Sequence, residues 1–60
     1  MDQRDLVQYA KSLYDAHGGK AEAEAAQKAL NAQQDGRIDD ATRWGQIRAH
    51  IRELRSPAQT

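Results

Sequence analysis

Sixty residues permit one domain at most, and a chain this short buries only ~60% of the surface that its unfolded form exposes. Much of its 38% hydrophobic content is alanine, and the absence of cysteine excludes a disulfide staple or a thiolate metal site, so a core this thin calls for a protein partner or self-association. Formal charge is zero but unevenly spread: residues 1–17 carry −1, residues 18–42 carry −2, and residues 43–60, with Arg43, Arg48, Arg52 and Arg55 against Glu53, carry +3. No apolar run approaches the roughly 18 residues of a bilayer span, and charged and apolar residues alternate at the N-terminus in place of a signal peptide. The cytoplasm is the expected setting, with no membrane contact.

The first predicted helix covers residues 3–17. Leu6, Tyr9, Ala10, Leu13, Ala16 and His17 recur at spacings of three and four, which is one face of a helix. Asp2 reads as its N-cap, Asp5 as the carboxylate that reaches back to the cap, and Met1 with Leu6 as a hydrophobic staple. Gly18-Gly19 ends it, because glycine takes positive φ without a Cβ penalty. Val7 and Tyr14 lie beside the main stripe and widen it, so the helix is expected to touch two neighbours, one of them another molecule.

The second predicted helix, KAEAEAAQKALNAQQ at residues 20–34, consists almost wholly of strong helix formers. Leu30 is its one large apolar residue, and alanines occupy more than half its circumference. Small residues let helices approach at the short end of the 8–10 Å range, so this helix is expected to be wedged closely between the others.

DGRIDDA, residues 35–41, then reads as a tight corner between antiparallel helices. Gly36 stands where a left-handed C-terminal cap is needed, Ile38 is expected to plug the corner, and Asp39 to cap the next helix, with Asp40 beside its positive end. The third predicted helix covers residues 39–55, with Trp44, Ile47, Ile51 and Leu54 as its apolar stripe and Arg48, Arg52 and Arg55 on one flank. Gly45 interrupts it at a cost of about 1 kcal/mol, and is read either as room for close approach of the second helix or as a bend. Ser56-Pro57 closes the helix, which makes 1–56 the domain and 57–60 a disordered tail.

Gly36, Ile38, Asp39, Asp40 and Ala41, with Ala29 one turn above, resemble the turn inside a tetratricopeptide repeat. Over most of the chain, SLYDAHGGKAEAEAAQKA at residues 12–29 and WGQIRAHIRELR at residues 44–55 resemble a set of small, uncharacterised, chiefly alphaproteobacterial helical proteins. That resemblance implies a small bacterial helical fold and carries no activity or site residue.

Nothing in the sequence assembles a catalytic or metal site. His17 and His50 fall on different helices without a carboxylate pair at ligand spacing, and neither Ser12 nor Ser56 has a histidine partner implied by spacing. Gly18-Gly19 follows a helix where a phosphate loop would follow a strand. The expected fold is an all-α three-helix bundle with Leu6, Leu13, Leu30, Trp44, Ile47, Ile51 and Leu54 as core. The expected function is a non-enzymatic protein-interaction or assembly module, without cofactor or metal, and with Val7, Tyr14 and Trp44 at the contact. The alternative is a weak nucleic-acid binder using Arg37, Arg48, Arg52 and Arg55.

Overall fold

Helix formers and glycine stops set the element boundaries. The computed structural model describes residues 3–55 and is a three-helix bundle: α1 (Gln3–His17), α2 (Lys20–Gln34) and α3 (Ile38–Arg55). The proposed Asp2 cap, the Met1 staple, the Ser56-Pro57 stop and the tail lie outside the described residues.

Both connections are built on left-handed glycine. Gly18, at φ +61°, donates its amide to the Tyr14 carbonyl at 2.7 Å, the single-bond ending of a helix. Gly36, at φ +80°, closes α2 with two bonds: its own N–H to the Gln33 carbonyl at 3.1 Å, and the Arg37 N–H to the Ala32 carbonyl at 2.8 Å. That pair is the Schellman arrangement, and it turns the chain directly into α3.

The start of α3 differs from the sequence expectation. Ala41 donates its amide to the Arg37 carbonyl, so Arg37 is the residue that accepts the first helical bond, and Asp39 sits inside the first turn. There Asp39 and Asp40 complement the positive helix end through charge, without Asp39 acting as a cap. Ile38 is 61% exposed and does not plug the corner, because the backbone bonds around Gly36 already close it.

α2 and α3 pack antiparallel and share the largest interface; Glu22 near the start of α2 meets Arg55 at the end of α3, while Lys28 lies over Trp44. α1 crosses this hairpin, its start on α3 through Gln3 and His50, its end on α2 through His17 and Glu24. The buried cluster where the three meet is Leu6, Ala10, Ala21, Ala25, Ile47 and Ile51, with Leu13, Tyr14 and Trp44 packed against it. Ala32 is buried as well, further along α2.

Two expected core residues are therefore outside it. Leu30 is 47% exposed, since at 100° per residue it points about 160° away from Ala32 and lies opposite the buried alanines. Leu54 is 39% exposed at the C-terminal end of α3. Alanine, not leucine, makes the inward face of α2, and a face of Ala21, Ala25 and Ala32 permits close approach.

Gly45 does not make room for close approach of α2. It is exposed, a Cβ built on it meets nothing within 4 Å, and α3 runs unbroken from Ile38 to Arg55. The two glycines thus call for opposite responses to one substitution. Gly36→Ala is expected to destabilise by about 1 kcal/mol through its left-handed backbone, although open space surrounds it. Gly45→Ala is expected to stabilise by about 0.5–1 kcal/mol through helix propensity. Urea melts of the two variants check both signs.

Candidate functional site

Surface chemistry concentrates on one flank of α1. Asp5, Tyr9 and Leu13 follow one another at four-residue spacing, so they form a row along the helix. Tyr9 is 44% exposed and meets Trp44 of α3 edge to face, with ring centroids 5.8 Å apart and planes at 71°. This offset geometry suits the quadrupoles of two rings. The Lys28 ammonium of α2 stands 5.5 Å from the centroid of Trp44, a cation–π contact from the other side of the hairpin.

A cleft opens on each side of this aromatic pair. One, of about 330 Å³, is bordered by Tyr9, Trp44, Ile47, Asp40 and Arg43. The other, of about 560 Å³, lies between Tyr9, Leu13 and His17 of α1 and Gln27, Lys28 and Asn31 of α2. Tyr9 is a wall of both, so a cleft lies on either side of its ring, one against α3 and one against α2, and the two together make a trough beside α1 divided at Tyr9. It exists because α1 packs less extensively on α2 than on α3.

The three residues expected at an interface do not share a surface. Val7 is 43% exposed, and Tyr14, seven residues on, lies on the same flank and is half-buried against the core. Trp44 is on the Tyr9 flank, which helical geometry sets about 200° round from Val7. Tyr9, expected on the main face of the first helix but not at the contact, borders both clefts. Its row with Asp5 and Leu13 is the signal that marks it, but the partner ring, 35 positions away, is visible only in the fold.

The arginine flank is mostly engaged. Glu22, with only 16% of its side chain exposed, accepts from Arg55 Nη1 at 2.6 Å and lies 3.8 Å from Arg48 Nε. Arg37 spans Asp35 and Asp40, each at 3.2 Å, and Asp40 also accepts from Arg43 at 2.9 Å. Arg52 makes no ion pair within the described residues and shares a shallow depression on the outer face of α3 with Arg48, Gly45, Ala49 and Glu53. Arg37 stands apart at the corner, while Arg48, Arg52 and Arg55 share one flank of α3, where Glu22 engages Arg48 and Arg55.

His50 is partly buried where the start of α1 meets α3. Its side chain is 22% exposed, its Nε2 accepts from the Gln3 amide at 2.9 Å, and its Nδ1 lies 3.7 Å from Glu53. His17 Nδ1 donates to the Glu24 carboxylate and links α1 to α2. Both histidines serve as ties between side chains. Among the described residues no polar or charged side chain is buried, and no three His, Asp or Glu side chains gather where they could hold a metal ion. No helix of the described residues is long and apolar enough to cross a membrane. Comparison of the chain with protein-family models, with curated proteins and with solved structures finds no match.

Proposed function

We propose that this chain is a non-enzymatic helical interaction or assembly module of the bacterial cytoplasm, which binds protein through the Tyr9–Trp44 trough. One observation carries the reading. Val7, Tyr9, Leu30, Ile38 and Leu54 are exposed large apolar residues, against Leu6, Ile47 and Ile51 as the large side chains fully inside, so more large apolar residues face out than in. These residues are spread over several faces, and Tyr9 is the one that borders two clefts with polar groups at their rims. Of these residues, only Tyr9 stands at a concave site with a second aromatic ring beside it, and paired aromatics with a cation are the side chains that dominate contact energetics.

Nucleic-acid contact through Arg37, Arg48, Arg52 and Arg55 draws less support. Three of the four heads already face carboxylates, and each phosphate contact would have to compete with those pairs. The likeness to small alphaproteobacterial helical proteins over residues 12–29 and 44–55 agrees with a module of this size and remains part of the proposal.

Site-specific photo-crosslinking in the cells that make the chain tests the reading. A photoreactive residue at position 9 is expected to give adducts with protein, of whatever mass, while the same residue at Asp15, exposed and about 120° round α1 from Tyr9, gives none. Absence of adducts from positions 7, 9 and 54 alike would overturn it.

A further inference from the structure

We propose that the occupant of the trough is a second copy of the chain, whose α1 lies antiparallel to the first α1 across a twofold axis at Tyr9; this rests on the interaction reading above. The argument is one of charge. A twofold interface is self-complementary, so each patch must supply both members of every pair it makes. The trough side of the molecule carries one such unmatched set. Asp5, one turn before Tyr9, has no ion pair within the described residues. Lys28, in the cleft beside Leu13, has only the face of Trp44 among the described residues.

An antiparallel copy centred on Tyr9 reverses the row Asp5, Tyr9, Leu13. Asp5 of the copy then arrives opposite Leu13, at the cleft where Lys28 stands. The same exchange occurs at the other end, so the two charges that are single in one chain become two ion pairs in the dimer. The carboxylates already in the trough do not oppose this arrangement. Glu24 is engaged by His17, and Asp40 by Arg37 and Arg43. The copy also covers both half-exposed Tyr9 rings at once.

Charge exchange separates this arrangement from a general stickiness. Light scattering behind a sizing column, over a concentration series, is expected to show the wild-type mass rising from 6.7 kDa toward twice that value. Asp5→Lys places lysine against Lys28 twice, and Lys28→Glu places glutamate against Asp5 twice, so each is expected to weaken self-association about tenfold or more. Both positions are exposed, and circular dichroism is expected to show the bundle retained, with fraying confined to the first turn of α1 in Asp5→Lys, so Lys28→Glu is the variant that leaves the helix start untouched. Mixing the two variants restores association, since their heterodimer has both pairs matched. Tyr9→Arg, which sets like charges on the axis without touching Lys28, is expected to abolish it. A wild-type chain that stays monomeric throughout overturns the second copy, and cross-linked adducts of another mass would then still sustain the interaction reading. Single variants that associate like the wild type, or a mixture that does not recover, overturn it equally.

Discussion

The close approach of α2 to its neighbours through alanine is the contact on which the other features of the fold rest. Ala21 and Ala25 are fully buried with Leu6, Ala10, Ile47 and Ile51, so the centre of the bundle holds three large side chains, with Leu13, Tyr14 and Trp44 packed against it, and alanine makes up the rest. Burying one large side chain contributes ~1.5–3 kcal/mol, and three of them are little against the ordering of a whole domain. The strong propensity of α2 and the closed caps at Gly18 and Gly36 therefore carry an unusual share of the stability. The same shortage explains the surface. An inward face given to alanine leaves Leu30 outside, and α1, laid across the hairpin, covers only part of it and leaves the Tyr9 trough open.

Charge follows the same topology. Along the sequence the last third is basic and the middle acidic, which suggests a basic surface for an anionic partner. Folding α2 against α3 antiparallel places these segments side by side, and Glu22 takes Arg48 and Arg55 while Asp35 and Asp40 take Arg37 and Arg43. The asymmetry is largely spent within the molecule. Exposed pairs are individually weak, each worth ~0–1 kcal/mol; those of Glu22 with Arg48 and Arg55 tie α2 to α3 at one end of the hairpin, while those among Asp35, Arg37, Asp40 and Arg43 stay within the corner and the first turns of α3.

Local features were legible in the sequence and long-range ones were not. The three helices and both glycine turns could be read because helix propensity and positive φ are properties of a few neighbouring residues. Only the start of α3 shifted, since the backbone closes at Arg37 before the Asp39 side chain is reached. The inward face of α2 could not be read: alanines lie around most of its circumference, and the eye follows Leu30. Gly45 could be recognised as a local anomaly, but whether it faced a helix or solvent depended on packing. The candidate site was half legible, with Trp44 named and Tyr9 undervalued, because their pairing joins two helices. Val7 and Tyr14 were grouped with Trp44 on apolar character alone, although helical geometry sets them on the far flank.

Equilibrium unfolding of Ala25→Leu beside Leu30→Ala tests the alanine-seam account most directly. Enlarging a fully buried alanine where helices meet is expected to destabilise by about 1–3 kcal/mol through overpacking. Truncating a half-exposed leucine to the best helix former is expected to change stability by less than about 1 kcal/mol. The reverse order, with Leu30→Ala costly and Ala25→Leu tolerated, would show that leucine and not alanine faces the core of α2, and would contradict the account.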